Sequence, residues 1–226
     1  MKILAAFAFT FIIGAATANP IIYDNGLPTP SLGGWASDPG YSRQLGVDVV
    51  LKPGASAILN VRWWGGYCCH GQSAPDAFTL EVFSMTGDTP SAAPLSSIAL
   101  NSVGRTSTGQ YLSGIIEQFE YNVTLASDLV LQENVKYLFS ISNNTASDPQ
   151  NWFWSIHLND GDTWARGNAS TPWFVQHDEM AFQLFGPEKK VPEPNSFALS
   201  VAVLFGLLFA SKRHKRTAHR SAGSEN

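Results

Sequence analysis

The sequence predicts an all-β protein, an antiparallel two-sheet sandwich of jelly-roll type, framed by an N-terminal signal helix and one short C-terminal transmembrane helix. Three observations predict it. Through the body of the chain, apolar and polar residues alternate in short runs, the period of a strand with one buried face. Clusters of Gly, Pro, Asn, Asp and Ser separate these runs, and no stretch carries a convincing helical period. Both chain ends are apolar in a way that the body is not. A closed barrel is the alternative arrangement of the same strands.

Ile21 to Gly40 is rich in Gly and Pro and reads as an extended lead-in with turns. Gln44 to Leu51 is a strand with Leu45, Val47, Val49 and Leu51 on one face, and Lys52-Pro53-Gly54 turns the chain. Ala55 to Trp64 follows, with Ala57, Leu59, Val61 and Trp63 alternating; Gly65 to Pro75 is a loop. Ala77 to Met85 points Phe78, Leu80 and Val82 inward, and Leu95 to Val103 is a fourth strand. Ile115 to Leu125 is the clearest, with Phe119, Tyr121, Val123 and Leu125 against Gln118, Glu120, Asn122 and Thr124. Val135 to Ser142, Asn151 to Leu158, Thr163 to Arg166 and Met180 to Phe185 complete the set, with Asn159-Asp160-Gly161 as a hairpin turn.

The two ends carry signals. Lys2, the apolar run Ile3 to Ala15 and the site Ala16-Thr17-Ala18 form a secretory signal peptide, with cleavage expected before Asn19. Export by the Sec machinery follows. At the other end stand Pro192-Glu193-Pro194, an apolar run from Phe197 to Ala210, and the basic cluster Lys212-Arg213-His214-Lys215-Arg216. The prolines disfavour a continuous helix at this point. About 14 apolar residues at ~1.5 Å rise span ~21 Å, short of a ~30 Å bilayer core. Lys212 and Arg213 extend the span by snorkelling and favour the cytoplasmic side. The expected division is therefore residues 1–18 signal peptide, 19–188 β-sandwich, 189–216 sorting segment with a membrane helix over about 196–211, and 217–226 polar tail.

Without its ends the body is acidic. Six of the 14 basic residues lie outside it, and from Asn19 to Lys190 there are 8 basic and 16 acidic residues, a net of −8. Such a surface repels nucleic-acid phosphates and acidic polysaccharides and suits neutral glycans.

Pro-Glu-Pro, a short apolar span and a terminal basic cluster, in that order, resemble the PEP-CTERM sorting signal of Gram-negative bacteria, also described as an ice-binding-protein C-terminal type motif. The resemblance covers about 25 residues. It implies export, transient anchoring in the membrane, and recognition of Pro192, Glu193 and Pro194 by an exosortase-type processing enzyme, at a cell surface or in an exopolysaccharide matrix or biofilm. Thr217 to Asn226 is a longer polar extension than the usual tail. More loosely, Ala77-Phe78-Thr79-Leu80, Gly87-Asp88-Thr89-Pro90, Val135 to Ile141 and Trp152-Phe153-Trp154 resemble jelly-roll-like domains of other proteins of that kind.

Candidate sites within the body are few. Trp63 and Trp64 point to opposite faces of a strand: either one is open to stack on a sugar ring, or one fills the core and the other covers a sheet face. Trp64, Tyr67, Trp164 and Trp173 are therefore the candidate glycan-binding residues, for a polysaccharide partner. Cys68 and Cys69 are the only cysteines, and a vicinal disulfide, intermolecular pairing and free thiols all fit them. With His70 they lack a fourth metal ligand, and Asp160 and Asp162 are explained by the turn without calcium, so no metal or cofactor is expected. His157, His177, Asp178 and Glu179 are the only residues for the alternative reading, a polysaccharide lyase or hydrolase; the HDE run reads as a polar loop before a strand. Nucleophile-elbow, zincin and phosphate-loop motifs do not occur.

Overall fold

The computed structural model describes residues 19–68, 76–145 and 150–187, with the backbone alone at 159 and 160. The predicted signal peptide, sorting segment, membrane helix and polar tail lie outside these residues, as do Cys69 and His70. No helix of the described residues is long and apolar enough to cross a membrane.

The described body is all-β and β-sandwich-like. Its thirteen strands are β1 (Ile21–Asp24), β2 (Gly34–Ala36), β3 (Gln44–Val50), β4 (Ala57–Tyr67), β5 (Phe78–Thr86), β6 (Thr89–Pro90), β7 (Ser96–Leu100), β8 (Gly104–Leu112), β9 (Ile116–Val130), β10 (Lys136–Asn143), β11 (Trp152–Arg166), β12 (Phe174–Met180) and β13 (Phe182–Phe185). Two short 3-10 turns, Pro30–Leu32 and Pro39–Tyr41, interrupt the lead-in. Every pairing is antiparallel. One run goes β1-β13-β4-β9-β8. The other goes β12-β11-β3-β10-β5-β7. β11 joins them, because its first residues pair with β4 and β2 and its last with β3 and β12.

The inward rows of the two runs make one core. Val61, Trp63, Tyr121, Val123, Phe182 and Leu184 come from the first, and Leu45, Val47, Phe78, Leu80, Phe139 and Ile141 from the second. Trp63, Trp152 and Trp154 are fully buried. Each removes about 150–250 Å² from water, or roughly 4–6 kcal/mol gross at ~25 cal/mol/Å². Trp63 stacks on Tyr121 at 5.5 Å, and Phe78 meets Trp63, Tyr121 and Trp152 edge-on at 4.9–5.1 Å. Asp38, with no exposed surface, ties the lead-in to the core by accepting from the amides of Gly40 (2.8 Å), Trp152 (3.2 Å) and Thr145 (3.3 Å) and from the Thr145 hydroxyl.

Several expectations are corrected. Asn159-Asp160-Gly161 does not form a hairpin turn; β11 runs through it with a register shift between His157 and Asp162, its first residues held by β2 and β4, its last by β3, and both sides of the shift by β12. The chain reverses instead over residues 167–173. A second shift, between Ile58 and Asn60, puts Ile58 rather than Leu59 in the core. The stretch His177-Asp178-Glu179 lies within β12 and not in a loop. β8 went unpredicted because eight of its nine residues face water at least in part, so it shows no alternation.

Candidate functional site

Because β3 and β5 begin where β10 and β11 end, the antiparallel register gathers Gln44, Thr79, Glu81, Ser142 and Arg166 at one end of the second run. On these strands Leu45, Leu80, Ile141 and Ala165 belong to the core, so by alternation this second row points outward. With Arg43 and Asn144 it lines a groove of about 260 Å³, walled by Pro39 and by Gly167 to Ala169.

Gln44 is the hub. Its Nε2 donates to Ser140 Oγ at 2.9 Å and to Glu81 Oε2, while its Oε1 accepts from Arg166 Nε at 2.8 Å. A guanidinium on one side and a carboxylate on the other leave a single amide orientation that satisfies both. Arg166 is 3% exposed. Its Nη1 donates to Ala92 O at 2.8 Å, and its guanidinium lies between Phe83 and Trp173, 4.9 and 4.4 Å from the ring centres. Burial lowers its pKa, opposed by the nearby Glu81 carboxylate.

The sequence-predicted aromatics mostly serve the fold. Trp63 and Trp64 are both buried, 0% and 4% exposed, so Trp63 fills the core and neither offers an open ring. Tyr67 is 8% exposed; its hydroxyl accepts from Asn143 Nδ2 at 2.6 Å and donates to Asp76. Burial first, then the Tyr121 and Asp76 charges, pushes this hydroxyl well above the usual tyrosine range. Trp173 packs edge-on against Phe83 at 5.2 Å, and its Nε1 donates to Ser91 O at 3.3 Å. Trp164 is half-buried, two residues before Arg166 on the same face of β11. Cys68 is in a disulfide, and Cys69 lies outside the described residues.

The proposed acid–base residues are divided. His177 Nδ1 lies 3.1 Å from Asp162 Oδ1 on an open surface. His157 faces Glu179 across the β11–β12 pair, with its Nδ1 2.7 Å from Leu27 O. Asp178 accepts from Trp35 Nε1 at 2.8 Å. None of the four lines the groove. Among the described residues no group of three metal-ligating side chains is assembled. Asn19 Nδ2 donates to Asn60 Oδ1 at 2.8 Å; Ala16, Ala18 and the sorting residues are outside the described set.

Sequence reasoning missed Gln44, Glu81 and Arg166. Each is one polar residue on the outward row of a strand, the commonest kind of position in such a sequence. Neither a protein family, nor a curated protein, nor a solved structure matches the chain.

Proposed function

We propose that the chain is an exported, non-enzymatic glycan-binding protein of the cell surface or exopolysaccharide matrix. Its body is a sandwich of jelly-roll type, and its C-terminal signal is processed at Pro192-Glu193-Pro194 by an exosortase-type enzyme after transient anchoring. The binding reading rests on one observation, the chemistry of the groove. Its described lining combines two guanidinium groups, one carboxylate, three amides and two hydroxyls. These groups hydrogen-bond sugar hydroxyls in either direction, and several are already held by one another and need little ordering on binding. Glycoside hydrolysis ordinarily takes a pair of carboxylates flanking the bond. Among the described residues of the lining Glu81 is the only carboxylate, and it is engaged by Gln44.

Affinity electrophoresis through gels containing soluble glucans, xylan, mannan or galactan tests the reading. Ala169 is exposed on the groove wall, so Ala169→Trp fills the groove from a loop without touching the core. Retention of the wild type by a glycan and its loss in Ala169→Trp are expected, with no new reducing ends or unsaturated products. Sustained product release would establish the lyase or hydrolase alternative, and retention unchanged by Ala169→Trp would remove the groove from the account. The sorting half is tested by intact mass with and without a matching exosortase. Loss of the tail from near Pro192 only when the enzyme is present is expected; a mass that keeps everything to Asn226 would refute processing.

A further inference from the structure

Of the seven tryptophans, Trp35 is the most open to solvent, 38% exposed. A large apolar ring left open to water is unremarkable when it is mobile. This one is held on three sides. Its backbone pairs with β11, Trp35 opposite Trp154, and Gly34 lets β2 approach so closely that a Cβ there would lie 2.5 Å from Trp154 O. Its Nε1 donates to Asp178 Oδ2 at 2.8 Å. The Arg43 guanidinium lies over one face of the ring, 5.1 Å from its centre, and Arg43 Nη2 donates to Gln176 Oε1. Gln176, Asp178 and the exposed Phe174 alternate along one face of β12, so the polar groups that orient the indole form a row ending in another open aromatic.

Arg43 also lines the groove. It is the joint between two surfaces of different character, a polar concavity on one side and a fixed, open indole on the other. We infer that Trp35 is the stacking platform of a second subsite, so that the ligand is a glycan chain of at least two sugar rings, with one ring in the groove and the next on Trp35. This rests on the glycan-binding reading above. The chemistry fits a pyranose: its apolar C–H face meets the indole face opposite Arg43, and hydroxyls at its edge meet Asp178 beside the indole nitrogen. Because hydrogen bonds and the guanidinium fix the ring before binding, little ordering is lost on contact. A monosaccharide occupies one subsite only and gains nothing from the other.

The test uses the exported protein with cello-, xylo- and manno-hexaoses and their monosaccharides, measured by calorimetry and by tryptophan fluorescence. The retained hexaose is expected to bind at least about tenfold tighter than its monosaccharide and to blue-shift the emission. Trp35→Ala is expected to lose about that tenfold for the hexaose and to leave the monosaccharide unchanged. Trp35→Tyr keeps a stacking ring without the Asp178 bond and should fall between, which guards against a folding defect in the alanine variant. Equal affinity for hexaose and monosaccharide, or unaltered hexaose binding by Trp35→Ala, overturns the inference. If Ala169→Trp abolishes binding while Trp35→Ala does not, the groove stands and the platform falls. If no glycan binds the wild type, both fall. A wild type that self-associates where Trp35→Ala is monomeric would mark the ring as a protein contact and also overturn the inference.

Discussion

Replacing Arg166 with Met separates what the guanidinium does for the fold from what its stem does. The substitution keeps an unbranched apolar chain between Phe83 and Trp173 and removes the charge. Two acceptors are affected unequally. Ala92 is exposed, so its carbonyl turns to water at little cost. Gln44 is 7% exposed, and its Oε1 loses its donor inside the protein, a loss of about 1–3 kcal/mol. The two cation–π contacts, at 4.4 and 4.9 Å, contribute about 0.5–2 kcal/mol between them. Against this stands the relief of a desolvated charge, whose cost is visible in the lowered pKa. A net loss of about 2 kcal/mol is expected, read by urea denaturation with an unchanged m-value. It corresponds to a fall of about 4–8 °C in Tm for a chain of this size. Arg166→Lys should recover little, since an ammonium cannot reach Gln44 and Ala92 from between two rings as the planar fork does. A Met variant within about 0.5 kcal/mol of wild type would refute the reasoning, because desolvation would then cancel every contact counted here.

Three further outcomes are expected. Burial, with nearby carboxylates, raises the hydroxyl pKa values of Tyr23, Tyr67 and Tyr121 above the ordinary range. Their contribution to stability is then complete below pH ~10 and is lost as pH rises further through the folded-state values. Phenolate absorbance from these three should appear only as the fold is lost, and ionisation of all six tyrosines with circular dichroism intact would contradict this. Asp38→Asn places a donor among the amides and hydroxyl that now converge on a carboxylate, and should cost about 2–4 kcal/mol in denaturant titration; an unchanged midpoint would show that these bonds are replaceable. A Cβ at Gly66 would lie 2.3 Å from Glu117 O, whereas at Gly109, φ +70°, it would meet nothing within 4 Å. Gly66→Ala should therefore cost about 3 kcal/mol by pushing strands apart, and Gly109→Ala only about 1 from its backbone angle; similar losses in the two variants would count against the close approach at Gly66.

The strands that the sequence reveals are those with an alternating or a continuous apolar run, such as β9 and β10. In β9, Tyr121, Val123 and Leu125 point inward as their alternation requires, and Asn122 and Thr124 do not. The turn at Lys52-Pro53-Gly54 is equally legible, and Gly54 adopts φ +84° with Ala55 N bonded to Lys52 O at 3.0 Å. β8 is wet on nearly all sides, β12 is broken by charged residues, and β2 is three residues long; none carries a periodic signal. Asn159-Asp160-Gly161 misleads because turn preference is local, while each half of β11 is held by partners far away in the chain.

What the residues determine without a fold is the class. Alternating polarity and turn chemistry act over a few residues, so the all-β body and most of its strand positions follow from the chain read in order. What the residues do not determine is which of them meet. Gln44, Glu81 and Arg166 are separated by 37 and 85 positions, and only the register of β3, β5, β10 and β11 brings them to one amide. The fate of the tryptophans was likewise a tertiary matter. Pattern alone cannot distinguish Trp64, buried on an outward row, from Trp35, open at a sheet edge, because burial is decided by what packs over a face and a sequence contains only the face.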